Sequence, residues 1–286
     1  MSSDRQQGLT IIAFVGSVFS PYYAWSGRED PLNHCAINVA LYGRGPNLWA
    51  MTERRNNVVS RDRGTCAIGP STVEWTGDEL RIELCELANP LPRRVVGRVR
   101  LIPEVITNRN FVLDSKQRHA WWPIAPRARV EVELKRPALN WSGSGYLDMN
   151  AGDEPLEDGF TCWDWSRADL SDGAAVLYDA TRHDGTNRTL SLKFDRTGSV
   201  EQFEAPQRQR LPTTPIWRIA RHTHADGEKA RVQKTLEDTP FYSRSLLRTH
   251  LLGEHTTAMH ESLSLNRFST HWVKGLLPFR MPRVMW

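Results

Sequence analysis

Apolar and polar side chains alternate at period two through residues 80–84, 95–101, 129–134, 189–194 and 261–265. Side chains two apart share one face of a strand, so each stretch predicts a half-buried strand of an antiparallel sheet. Turn signals separate them: Thr76-Gly77-Asp78, Asn89-Pro90, His183-Asp184-Gly185 and Arg196-Thr197-Gly198 arrive at the intervals of sandwiches and barrels. Residues 9–19 bring β-branched Thr10, Ile11, Ile12, Val15 and Val18. They read as an opening strand rather than a signal peptide, because Asp4 offsets Arg5 ahead of them and no small-residue cleavage site follows. Residues 228–236 fit a helix, yet Ala230, Val232 and Lys234 also alternate. The predicted class is all-β.

The pattern breaks at residues 151–159, an acidic stretch with Gly152, Pro155 and Gly159. A length of 286 residues allows one large β domain or two smaller ones, and this break predicts two, 1–152 and 153–286. Residues 207–215 read as a loop inside the later domain. The formal charge of +4 comes from 37 basic and 33 acidic residues without a basic block, so charge names no partner and nucleic acid is not expected. No apolar run approaches the ~18 residues of a spanning helix, and the mean hydropathy is −0.50. The expected location is the cytoplasm. Cys35, Cys66, Cys85 and Cys162 are far apart with no Cys-x-x-Cys pair, which predicts reduced, mostly buried thiols.

Candidate chemistry lies in two period-two constellations, His119 with Trp121 and Tyr146 with Asp148 and Asn150. An acid framed by aromatics suits proton chemistry on an apolar substrate; the alternative is a satisfied polar residue in a β core. Eleven tryptophans, among them the pairs Trp121-Trp122 and Trp163-Asp164-Trp165, suit either the walls of an apolar cavity or ordinary core filling. His222, His224, His250, His255 and His260 lack a carboxylate or cysteine at a recognised ligand spacing, so no metal is expected. Gly43-Arg44-Gly45-Pro46 lacks the third glycine of a phosphate cradle. No Gly-x-Ser-x-Gly elbow supports acyl-enzyme chemistry, since Ser142-Gly143-Ser144-Gly145 reads as a turn before a strand. Residues 271–286 interleave Trp272, Leu276, Leu277, Phe279 and Trp286 with Lys274, Arg280 and Arg283. Such a tail fits an anionic membrane surface or a plug across a barrel mouth, and two prolines argue against a regular helix.

Together these motifs identify the chain as similar to the carotenoid 1,2-hydratases of purple photosynthetic bacteria, also called hydroxyneurosporene synthases. The resemblance runs nearly the whole length, through residues 14–23, 34–38, 49–54, 145–152, 160–167, 239–242, 260–265 and 277–283. The Gly145-Tyr146-x-Asp148-x-Asn150 pattern is shared with wider two-domain lipocalin-like proteins that include pericyclases. The resemblance implies two lipocalin-like antiparallel β-barrel or sandwich domains with the active site near their interface. It also implies cofactor-independent addition of water to the C1=C2 bond of an acyclic carotene such as neurosporene or lycopene. The family's proposed catalytic residues match His119, Trp121, Tyr146 and Asp148, with Trp122, Trp163 and Trp165 as candidates for lining the substrate tunnel. Where wider relatives carry a bulky residue between tyrosine and aspartate, this chain has Leu147. To donate a proton near neutral pH, Asp148 must be raised by burial. A membrane-borne substrate implies peripheral association with the inner or photosynthetic membrane, through residues 272–286. The competing readings are a non-catalytic carrier of an apolar pigment and a polyene cyclase of the wider superfamily.

Overall fold

The run Cys35–Gly43 is apolar at almost every position, and in the computed structural model it forms a strand buried on both faces. The structure describes residues 1–43 and 47–284, so Arg44, Gly45, Pro46 and Trp286 of the motifs above lie outside the described residues. The chain packs as two units: residues 1–104, 127–146 and 274–286 form one, residues 105–126 and 147–273 the other. These are not the continuous halves 1–152 and 153–286, because β-pairing gathers residues by register rather than by order along the chain.

In the first unit, β1 (Gln7–Val15), β2 (Cys35–Gly43) and β3 (Leu48–Arg54) form an antiparallel sheet centred on β2. The expected opening strand is β1. A second sheet contains β4 (Val59–Arg61), β5 (Thr65–Ile68), β6 (Ser71–Trp75), β7 (Leu80–Leu87) and β8 (Arg94–Pro103). The short β9 (Phe111–Val112), whose residues fall in the second unit, and the long β10 (His119–Arg136) and β11 (Ala138–Gly152), each with residues in both units, follow in the order β11-β10-β8-β7-β6-β5-β4 with β9 paired to β10. Ile37, Val39, Ile68, Val95 and Val132 centre the core of this unit. Residues 142–145, expected as a turn, lie inside β11. Gly143 is there because the Met1–Ser2 backbone bridges onto it, where a Cβ would strike the Met1 carbonyl.

The second unit is built on β12 (Phe160–Leu170), β13 (Gly173–Arg182), β14 (Asn187–Asp195), β15 (Val200–Gln202), β16 (Arg208–Leu211), β17 (Arg221–His224), β18 (Arg231–Asp238), β19 (Tyr242–Leu251) and β20 (Glu254–Ser264). Seven of them make an antiparallel sheet, β15-β14-β13-β12-β20-β19-β18, and β16 pairs with β17. Leu170, Leu177, Leu211, Leu247 and Leu251 lie in its core. Of the ambiguous residues 228–236, residues 231–236 form strand, in β18.

Helices are short: α1 (Pro21–Trp25), α2 (Leu156–Gly159), α3 (Leu265–Phe268) and α4 (His271–Arg280). The tail expected to be irregular is helical through Pro278, whose ring nitrogen cannot donate to the carbonyl four residues back, and the helix ends two residues later. Among the described residues no helix is long and apolar enough to cross a membrane. The four cysteines are free; Cys35 alone is fully buried and the other three are half-buried.

Candidate active site

His119 opens β10, and the strand period places it on the same side as Trp121; both are buried. Trp121 Nε1 donates a 2.8 Å hydrogen bond to Asp148 Oδ2 near the end of β11, which fixes the orientation of the half-buried carboxyl group. Around this pair the rings form a chain. Centroids are 5.7 Å apart for Phe111 and Trp121, 5.5 Å for Trp121 and Tyr178, and 6.0 Å for Tyr178 and Trp163. They are 6.4 Å apart for Trp163 and Phe160, and 4.9 Å for Phe160 and His119. These separations suit tilted and edge-to-face packing. One carboxyl group is therefore held against a wall of π faces within the second unit.

Tyr178 is buried between two of the tryptophans. Burial, and after it the negative charges of Asp148 and Glu261, hold its hydroxyl protonated well above the usual tyrosine range. The sequence reading missed it because it sits in the uniformly apolar run of β13. A signal did exist: closing the β12/β13 hairpin at Gly173 sets Trp165 directly opposite Tyr178.

The acidic stretch read as a domain seam closes instead over His119. A Cβ at Gly152 would collide with Nδ1 of that ring, and one at Gly159 would stand 2.9 Å from Nε2. Glu154 Oε1 lies 3.6 Å from His119 Nε2, and the His119 backbone N–H donates to Asp114 Oδ2 at 2.7 Å. Burial pushes the imidazole below its ordinary pKa, and Asp114 and Glu154 offset only part of that shift. Burial thus favours the neutral imidazole of His119, with a carboxylate beside it.

The other expected residues divide. Trp163 joins the ring chain, and Trp165 is buried opposite Tyr178. Trp122 points to the opposite face of β10 from Trp121, since the two are adjacent in one strand. Tyr146 is half-buried two positions before Asp148 and belongs to the first unit, whereas Asn150 is exposed.

The opposite face of β12 and β13 is polar. Asp164 and Asp179 are direct cross-strand partners and both are buried. Asp164 accepts from Ser262 Oγ and from the His222 backbone N–H, with Arg208 Nη2 at 3.5 Å. Asp179 pairs with His224 Nε2 at 2.7 Å and accepts from Thr189 at 2.6 Å. His260 Nε2 donates to the His222 carbonyl. The alternating histidines at 222 and 224 are therefore bound into a network of carboxylates and carbonyls.

Two antiparallel β units and an acid on an aromatic wall define the class as lipocalin-like β proteins. The fold is similar to CghA, with a TM-score of 0.54, 12% identity and coverage of 95% of this chain and 87% of the other. It is also similar to a crystal structure from Nitrosomonas europaea carrying the assignment AttH, with a TM-score of 0.57, 13% identity and coverage of 80% and 81%. At such identities the likeness is one of fold alone. The chain belongs to the carotenoid hydratase CrtC family, whose profile matches residues 11–286, and the family is one of hydro-lyases. The acyclic carotenoid 1,2-hydratase of Thiocapsa roseopersicina is 56% identical over 288 residues, 99% of this chain and 71% of the relative. That of Rubrivivax gelatinosus is 51% identical over 290 residues with the same coverage. That of Cereibacter sphaeroides is 41% identical over 275 residues, 96% of this chain and 98% of the relative.

Proposed function

We propose that this protein adds water across the terminal C1=C2 bond of an acyclic carotene, such as neurosporene or lycopene, with Asp148 as the proton donor. The observation that carries the reading is the Trp121 to Asp148 hydrogen bond within a chain of aromatic rings. Hydrating a trisubstituted alkene needs a proton at C2, which leaves a tertiary cation at C1. The acid form of Asp148 gives that proton. The π faces of Trp121 and Tyr178, with Tyr146 as a further candidate, stabilise the cation by about 2 kcal/mol or more each where water is excluded. Water then bonds to C1 and gives up a proton to His119, whose imidazole burial keeps neutral and whose conjugate acid Glu154 attracts. Solvent returns a proton to Asp148, so the net change is alkene plus water to tertiary alcohol. Trp163 and Trp165 are the better candidates for lining the polyene; Trp122 faces away from Trp121.

A substrate dissolved in lipid has to be taken from a membrane. Support for docking through the tail comes from the outward side of α4, where Trp272, Leu276 and Phe279 are exposed while Val273 and Leu277 are buried.

The test is conversion of lycopene in detergent by the purified full chain and by Asp148→Asn, read by chromatography and mass spectrometry. The expected result is a gain of one water by the wild type, with loss of turnover but retained pigment binding in the variant. Hydration surviving in Asp148→Asn would mean another acid. Binding without conversion by the wild type would make the protein a carrier, and an isomeric product without added water would make it a cyclase.

A further inference from the structure

The motifs at residues 14–23, 34–38, 49–54 and 277–283 play no part in the Asp148 chemistry, yet the first unit gathers their side chains at one cleft. Ser20 caps α1, accepting from the Tyr23 backbone N–H at 3.0 Å, and Pro21 fills the first helical position. The helix ends after one turn and sets Ser26 at its C-cap, exposed. His34 immediately precedes β2, and Glu53 lies near the end of β3, where the register pairs it with Ala36. Both are buried. Arg283 arrives on the segment after α4, held by Glu53 N–H to Pro282 O and Val284 N–H to Glu53 O.

The resulting contacts form a relay. Ser26 Oγ lies 3.3 Å from His34 Nε2, and His34 Nδ1 lies 2.8 Å from Glu53 Oε1. Arg283 Nη1, a donor only, also lies 2.8 Å from Nδ1, so that nitrogen's two neighbours make opposite demands on it; the relay uses the tautomer with the proton on Nδ1, shared with Glu53, and Nε2 as the acceptor facing the serine. Arg283 Nη1 donates to the same Glu53 oxygen at 2.7 Å and anchors the carboxylate. The Ser26 hydroxyl also reaches the Tyr23 carbonyl at 2.9 Å, so a rotation about its C–O bond switches the proton between carbonyl and imidazole. The three residues line or back a cleft of about 520 Å³, walled by Tyr22 and Trp25 and flanked by Arg55 and Arg283.

We infer that Ser26, His34 and Glu53 form a nucleophile, base and orienting acid that cleave a small carboxylic ester with an aromatic or short apolar group. Such a constellation is recognised by geometry and not by sequence order, and it recurs on unrelated folds. That is why the absence of a Gly-x-Ser-x-Gly elbow does not speak against it. Ser26 Oγ attacks the ester carbonyl carbon and its proton passes to His34 Nε2. Arg55 and Arg283 line the cleft and supply positive charge near the developing oxyanion. Collapse breaks the C–O bond, and the leaving alcohol takes the proton from His34. Water, activated by the same imidazole, then hydrolyses the acyl-serine, releasing the acid and restoring Ser26. Tyr22 and Trp25, at 5.7 Å with a T-shaped contact, supply the apolar walls.

The test treats the full chain with a fluorophosphonate probe, followed by intact mass and peptide mapping, alongside p-nitrophenyl acetate hydrolysis. The expected result is one adduct per chain at Ser26, absent from Ser26→Ala, with ester hydrolysis lost in parallel. Labelling of Glu53→Gln should be slower by about 10²-fold, since the orienting acid sets the histidine tautomer. Ser26 is exposed, so Ser26→Ala should keep the wild-type melting transition and carotene conversion, which separates this site from the hydration chemistry. No adduct on folded wild type, or an adduct that persists in Ser26→Ala, would reduce the cluster to a tether for the tail and overturn the inference.

Discussion

The indole N–H of Trp121 orients the carboxyl group of Asp148, and that makes Trp121 more than a wall. A net hydrogen bond of this kind is worth about 1–1.5 kcal/mol, or roughly tenfold in rate if it is used only when the proton leaves. Trp121→Phe keeps a ring against Tyr178 but removes the donor, so kcat for lycopene hydration should fall about tenfold with KM little changed. Tyr178 makes the complementary case, because its hydroxyl stays protonated and cannot act as an anion. Tyr178→Phe should therefore remain near wild type, whereas Tyr178→Leu, which removes the π face, should lose about 30-fold, the equivalent of ~2 kcal/mol. Steady-state kinetics on variants with unchanged circular dichroism check both. Equal losses in Tyr178→Phe and Tyr178→Leu would shift the role of Tyr178 from its ring to its hydroxyl.

Among the elements, α4 combines a buried stripe, Val273 and Leu277, with an exposed one, Trp272, Leu276 and Phe279. Positions 272, 276 and 279 are spaced four and three apart and share one face. Arg280 is committed to Trp49 at 4.8 Å and to the Asn89 carbonyl, so the proposed membrane docking rests chiefly on the aromatic pair. Replacing Trp272 and Phe279 together by serine removes roughly 3 kcal/mol or more of burial. Flotation with vesicles containing anionic lipid should fall at least tenfold, and unchanged flotation would remove the tail from the docking surface. This helix was not legible in the sequence, because two prolines outweighed its spacing. The strands were legible where one face is wet, as in β7, β8 and the later part of β10, since alternation then marks both faces. The turn expected at residues 142–145 failed for a different reason: glycine there serves a long-range backbone approach by Ser2. His119, Trp121 and Asp148 could be picked out by period-two spacing, but Tyr178 and Glu154 could not. One is hidden in an apolar run and the other in a stretch whose composition reads as a linker.

For the molecule as a whole, the buried histidines make stability depend on pH in opposing directions. Burial lowers the pKa of His119 and His260 below the ordinary 6.5. The unfolded chain then binds protons that the folded chain refuses, and stability falls as pH drops through that value. His224 behaves in the opposite way. Burial pulls its pKa down, but the hydrogen bonds to Asp179 and to the Pro206 carbonyl outweigh that, against a minor repulsion from Arg208, and the net shift is upward. Asp179 is lowered: burial raises it, but the bonds from His224 and Thr189 prevail. A raised histidine contributes fully below its unfolded value and loses that contribution as pH rises through the folded value. A lowered aspartate contributes above its unfolded value near 3.8 and loses that contribution only on strong acidification. The charged pair is therefore worth most between those limits. The melting-temperature difference between wild type and His224→Gln should be larger at about pH 5.5 than at a pH above the raised folded-state value, where His224 has lost its proton. A difference that is flat, or that grows with rising pH, would mean that His224 is held neutral like His119 and His260, and that Thr189 and Arg208 hold Asp179 low without a charged His224.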